Sequence, residues 1–112
     1  MRALINGSYA PLEWSKGANH SATILIVAGN GEPTDLTGGA VSVLVYDRSD
    51  RANAPIATHV NDTLTTPTAG LATLAIDDSE LTYGPGDYFA FVRFVATGGE
   101  VYFAAPYALS IK

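Results

Sequence analysis

Apolar and polar positions alternate along this chain with the period of a pleated strand, and no stretch carries the longer period of an amphipathic helix. The longest run is Tyr88-Phe89-Ala90-Phe91-Val92-Arg93-Phe94-Val95-Ala96-Thr97. Gly98-Gly99 separates it from Glu100-Val101-Tyr102-Phe103-Ala104-Ala105. β-Branched and aromatic residues suit a pleated, packed surface. Two glycines between two such runs signal a tight hairpin, because both central residues of the favoured turn need positive φ. Residues 86–111 are therefore read as the hairpin around which the rest is arranged. With Gly98 and Gly99 as the loop, Thr97 faces Glu100 and Phe94 faces Phe103. Parity then places Tyr88, Ala90, Val92 and Phe94 with Val101, Phe103 and Ala105 on one face. Phe89, Phe91, Arg93 and Val95 share the other with Tyr102 and Ala104.

Shorter alternating runs precede the hairpin. Residues 12–16 read as a first strand with Trp14 inward, residues 21–28 as a second, and residues 40–46 as a third. In that third strand Val41, Val43 and Val45 form one face, and Ser42, Leu44 and Tyr46 the other. Residues 56–60 and 71–76 add two more. Residues 47–55 are the most polar part and are expected to be a solvated tip. Asp77-Asp78-Ser79-Glu80 has the spacing of a capping box and predicts one helical turn. Pro106 marks a bulge or edge, since it has no N–H to donate. After it, Tyr107, Leu109 and Ile111 resume the inward parity. About seven short strands separated by turn residues predict an all-β, immunoglobulin-like antiparallel β-sandwich over residues 12–112. Tyr88 stands where a tyrosine corner would. Residues 1–11, with Leu4, Ile5 and Tyr9 around Asn6-Gly7-Ser8, are expected to be an N-terminal arm.

Composition narrows the function. Charged residues make up 15% of the 112, well below the usual share of about 25%, so part of the surface is expected to be covered by a partner. A net charge of −5 argues against nucleic acid, whose binders carry basic patches. No basic amphipathic helix, apolar leader or membrane span is visible. The absence of cysteine removes disulfides, thiol nucleophiles and thiolate metal sites.

Four segments then carry a resemblance: Trp14-Ser15-Lys16-Gly17; Gly31-Glu32-Pro33-Thr34-Asp35-Leu36-Thr37-Gly38-Gly39-Ala40-Val41; Pro67-Thr68-Ala69-Gly70; and Gly84-Pro85-Gly86-Asp87-Tyr88. In this order they resemble small immunoglobulin-like virion proteins of tailed bacteriophages, similar to the N-terminal domain of phage baseplate upper proteins. The resemblance spans roughly residues 12–112. It implies a non-enzymatic virion part, assembled in the host cytoplasm, without cofactor. Because baseplate proteins continue into a longer chain and this one stops at Lys112, a capsid decoration or cement protein is expected. A tail or baseplate module and a carbohydrate-binding module for host adhesion are the alternatives. Expected partners are the major capsid protein or tail and baseplate proteins, together with further copies of the chain.

Candidate chemistry is sparse. His20 and His59 lie in polar loop or short-strand settings and are read as ordinary surface or edge histidines. Asp77, Asp78, Glu80 and Asp87 form an acidic group without the spacing of a calcium loop, so turn and capping use is the stronger reading. The sharper signal is the apolar excess on the second sheet face. If residues 40–46 pair beside the hairpin, Leu44 and Tyr46 join Phe89, Phe91, Arg93, Val95 and Tyr102. A contiguous apolar patch of this kind marks an interface, the alternative being that the arm or a loop of the same chain covers it. Leu4, Ile5 and Tyr9 of the arm are expected to add to it.

Overall fold

The structure, a computed structural model, describes residues 2–60, 63–77, 79, 81–104 and 106–112. Ten strands are present among them: β1 (Arg2–Ile5), β2 (Leu12–Trp14), β3 (His20–Val27), β4 (Ala40–Tyr46), β5 (Ala57–Val60), β6 (Thr63–Thr66), β7 (Leu71–Ile76), β8 (Gly86–Val95), β9 (Val101–Phe103) and β10 (Tyr107–Ile111). A 3₁₀ turn, Pro67–Ala69, precedes β7. The first sheet has the order β1-β3-β7-β6. The second has the order β2-β10-β8-β4-β5, with β9 also paired to β8. All neighbours run antiparallel except β2 beside β10. This is the immunoglobulin-like sandwich that the alternation predicts.

The core lies between the sheets, where the inward residues of each strand meet. Ile24 and Ile26 of β3 and Leu74 and Ile76 of β7 come from the first sheet. Val41, Val43 and Val45 of β4, Ala90, Val92 and Phe94 of β8, and Leu109 and Ile111 of β10 come from the second. Trp14 is inward as expected. Tyr88 forms the tyrosine corner, its hydroxyl donating to the Gly84 carbonyl at 2.7 Å. The expected capping box includes Asp78 and Glu80, which lie outside the described residues.

Two expectations are corrected. Within the arm expected over residues 1–11, Arg2–Ile5 is instead a strand of the sandwich. Arg2–Ile5 pairs with β3, and Ala3 and Ile5 are buried while Leu4 is half-buried. The short run had enough alternation for a strand, and Asn6-Gly7, both at positive φ, is the turn that lets the chain cross to the other sheet. The second correction concerns the hairpin. Its loop has three residues, Thr97-Gly98-Gly99, closed by Gly99 N–H to Ala96 C=O at 2.9 Å and Ala96 N–H to Glu100 C=O at 2.8 Å. Gly99 alone takes the left-handed conformation, φ 91, as three-residue hairpins require. Thr97 is held by its hydroxyl, which donates to Thr37 C=O at 2.9 Å.

Phe94 therefore faces Tyr102, not Phe103, and this one-residue slip turns β9 over. Tyr102 stacks on Phe94 at the core side, with ring centroids 6.2 Å apart. Val101 and Phe103 join the outer face instead. The offset shifts again between the pairs Arg93↔Phe103 and Ala90↔Tyr107, at the bulge that Pro106 announced. That second shift restores the expected inward parity of Tyr107, Leu109 and Ile111.

Candidate interaction surface

Residues 40–46 pair beside the hairpin as the sequence predicts. β4 pairs with β8 so that Leu44 is opposite Phe91, Tyr46 opposite Phe89 and Ser42 opposite Arg93. Leu44, Tyr46 and Phe91 form a second, smaller apolar cluster, with Phe89 and Phe103 packed against it. Tyr46 and Phe103 each meet the Phe91 ring edge-on, at 5.4 and 6.4 Å, a favoured aromatic geometry.

This cluster is closed by the chain itself. Leu44, Tyr46 and Phe91 are 3, 7 and 5% exposed. The connection from β4 to β5, expected as a solvated tip, lays Arg51 over the face. Its guanidinium lies 3.8 Å from the Phe103 ring centroid and 5.2 Å from that of Phe91. Arg51 holds φ 55. Asp50 braces the turn: it accepts from Ala52 N–H at 3.0 Å and pairs with Arg48 at 2.9 Å. Those contacts hold the Asp50 carboxyl below the usual carboxylate range, the Ala52 amide first and Arg48 second. A cation over desolvated aromatic faces contributes about 1 kcal/mol. Arg51→Ala is accordingly expected to lower stability by about that amount and to increase binding of an apolar dye to the native state, while Arg51→Lys keeps part of both. Equal dye binding by wild type and Arg51→Ala would show that the loop does not shield the face.

The expected open patch is thus corrected at Leu44, Tyr46 and Phe91, and Tyr102 does not belong to it. Phe89, Arg93 and Val95 are half-buried on that face. The Arg93 guanidinium reaches the buried Ser42 hydroxyl at 3.3 Å, and its Nε is buried without a hydrogen-bond partner. Ile5 is core and Leu4 belongs to β1.

The exposed apolar residues lie elsewhere. Four large hydrophobic side chains are exposed among the described residues: Tyr9 at 56%, Val101 at 53%, Tyr102 at 45% and Ile56 at 42%. Two of them, Val101 and Tyr102, are neighbours in the chain. Val101 and Tyr102 are on β9, whose one strand partner among the described residues is β8. Tyr9 stacks on Tyr107 at 6.4 Å and, with Arg2, Ala3 and Pro106, lines a hollow of about 130 Å³. A larger cleft of about 400 Å³ opens beside Tyr102, bounded by Phe94, Ala96, Ala28, Gly29, Thr34 and Asp35.

Of the two histidines, His59 departs from expectation. His20 is half-buried, its Nε2 3.0 Å from the Ser15 amide. His59 is no surface residue: it is 2% exposed, set edge-on to Trp14 at 5.6 Å and 3.2 Å from the Tyr83 hydroxyl. The signal was its place opposite Val43 on a core-facing parity, which an isolated five-residue run does not reveal. Burial pushes the Tyr83 hydroxyl from 10.0 up to about 12, with the neighbouring Tyr88 adding to the effect. The fold favours neutral Tyr83, so its contribution is complete below pH 10 and is lost as pH rises towards 12. Stability followed against pH is expected to be level in this respect up to 10 and to fall above it, with a step that Tyr83→Phe removes.

Asp77 and Asp87 of the expected acidic group are described, whereas Asp78 and Glu80 lie outside the described residues. Among the described residues no three His, Cys, Asp or Glu side chains are grouped as metal ligands would be. No helix among them is long and apolar enough to cross a membrane.

No protein-family model matches the chain, and no curated protein matches it. Solved structures do. The fibronectin(III)-like modules of CbhA from Clostridium thermocellum align at a TM-score of 0.51 and 14% identity, over 98% of this chain and 94% of that one. CopC from Methylosinus trichosporium OB3b aligns at 0.49 and 13% identity, over 99% and 94%. At such identity the likeness to the CbhA modules establishes a shared fold: this chain is an immunoglobulin- and fibronectin-like β-sandwich.

Proposed function

We propose that this chain is a non-enzymatic structural protein of a tailed-phage virion, of the capsid decoration or cement class. It meets its neighbours through the β9 edge that carries Val101 and Tyr102. The observation behind this reading is that two of the four large hydrophobic residues exposed among the described residues, Val101 and Tyr102, sit together on β9, whose outer edge pairs with no other described strand. Exposed apolar groups brought together at one place mark protein contacts. The virion context rests on the four resembling segments. Their expected partners are the major capsid protein and further copies of the chain. A cement protein stabilises a shell because its binding energy exists only in the assembled state.

Sedimentation of the protein with expanded heads and with tails tests the reading. Binding to heads, weakened by Val101→Asp, is the expected result. Binding to tails alone would move the protein to the tail or baseplate. No binding to either would overturn the virion reading. The cleft beside Tyr102 favours carbohydrate adhesion as a second reading, because Tyr102, Phe94, Thr34 and Asp35 are among the residues that border it. Glycan-array retention abolished by Tyr102→Ala would support that alternative.

A further inference from the structure

We infer that β9 is a self-pairing edge, and that two copies of this chain join antiparallel, β9 to β9, about a two-fold axis at Tyr102. The inference rests on the structural reading above and names the neighbour that meets this side.

The backbone sets the register. Ala104 N–H donates to Val92 C=O at 2.9 Å, and Glu100 C=O accepts from Ala96 N–H at 2.8 Å. Residues 100, 102 and 104 therefore turn their backbone groups towards β8. Along a strand these directions alternate, so Val101 and Phe103 turn theirs to the open edge. An antiparallel neighbour of the same sequence meets them with Phe103 opposite Val101 and Val101 opposite Phe103, each pair exchanging both hydrogen bonds. Tyr102 of one copy then faces Tyr102 of the other in a non-hydrogen-bonded pair, where side chains approach most closely.

The side chains suit that arrangement. Val101 and Phe103 share the outer face, so each copy extends the apolar surface of the other. Glu100 meets Ala104, so no like charges are opposed in the register. Gly98, at the tip of one hairpin, falls opposite Pro106 of the other copy, next to the hollow that Tyr9 lines. The two exposed apolar residues of β9, Val101 and Tyr102, are thereby covered.

Two of the other edge strands carry a charged residue, Arg2 on β1 and Glu13 on β2. Natural sheets blunt their edges with charge, proline or brevity. β9 is short, yet it alone among these edges consists wholly of apolar and aromatic residues. A contact this short belongs with interfaces below about 1,200 Å², which are weak in isolation. On a lattice that holds neighbours in place, a weak contact is multiplied by effective concentration. With −5 on each copy, association is expected to strengthen as salt screens the repulsion.

The chain has no cysteine, which permits a direct test of register. Across a non-hydrogen-bonded antiparallel pair the Cα atoms lie about 4.5 Å apart, within disulfide range. Under added diamide, which takes the two thiol hydrogens, Tyr102→Cys is expected to form a covalent dimer about tenfold faster or more than Ile56→Cys, at the opposite side of the sheet. Val101→Asp added to the Tyr102→Cys chain should abolish that advantage. Equal rates at 102 and 56, or an advantage untouched by Val101→Asp, would overturn the pairing. Head or tail binding without the 102 cross-link would keep the structural role and discard the pairing; cross-linking without particle binding would do the reverse.

Discussion

Phe91→Asp is expected to unfold this protein or leave it barely stable. Phe91 is 5% exposed, held between Tyr46 and Phe103 and roofed by Arg51. Truncating a buried phenylalanine costs about 3–5 kcal/mol. A carboxylate in its place adds the cost of burying charge, offset in part by Arg51. Domains of this size are stable by about 5–15 kcal/mol, so the variant should melt many degrees lower or not fold. Phe91→Leu should cost much less. Urea titration of the three proteins checks this. A Phe91→Asp midpoint equal to wild type would mean that the Arg51 loop leaves the face and exposes it, restoring the open patch that the sequence suggests.

Gly70→Ala is expected to be nearly as damaging, for a reason that lies in the backbone. Gly70 has φ 76, and a Cβ there would lie 2.6 Å from Ile26 C=O and 3.1 Å from Thr34 C=O. Both are main-chain atoms, so no side chain can swing aside. The same spot is a knot of hydrogen bonds. Ile26 N–H donates to Gly70 C=O and Thr34 N–H to Ile26 C=O, each at 2.9 Å. A left-handed alanine alone costs about 1–2 kcal/mol, and displacing the knot should bring the loss to roughly 2–4 kcal/mol. Gly31 is the control: its φ is 85 but a Cβ there meets nothing within 4 Å. Gly31→Ala should therefore show the conformational cost alone. Equal midpoints for Gly31→Ala and Gly70→Ala would show that the close approach at Gly70 costs nothing.

The resembling segments turn out to be the clips of the fold. Leu36 is fully buried and its N–H donates to Pro67 C=O at 2.8 Å. Gly39 passes so close to Phe94 and Val95 that a Cβ would clash at 2.6 Å. Gly70 forms the knot and Tyr88 the corner. Trp14 C=O accepts from Lys112 N–H, and Lys16 N–H donates to Lys112 C=O, each at 2.9 Å. These residues explain why the sandwich was legible: each is a local turn or plug with its own sequence signature. The pairing of β4 with β8 was legible for the same reason, since two adjacent strands both had a second apolar face.

What the sequence hid was non-local or a matter of one residue. The loop of Thr97-Gly98-Gly99 differs from a two-residue loop by a single φ and a tie to Thr37, yet that difference decides which way Tyr102 faces. The loop of residues 47–55 is exposed, as its composition predicts, but composition gives no sign that Arg51 within it folds back onto Phe103, far along the chain. His59 looked like an edge residue because its burial depends on Trp14 and Tyr83, which arrive from distant strands.

The most direct measurement is amide hydrogen exchange at Val101 and Phe103 as a function of protein concentration. Pairing of β9 predicts fast exchange at both amides when the protein is dilute, slowing as concentration rises, while the Tyr102 amide, turned towards β8, stays protected throughout. Exchange at Val101 and Phe103 that ignores concentration would contradict the self-pairing edge.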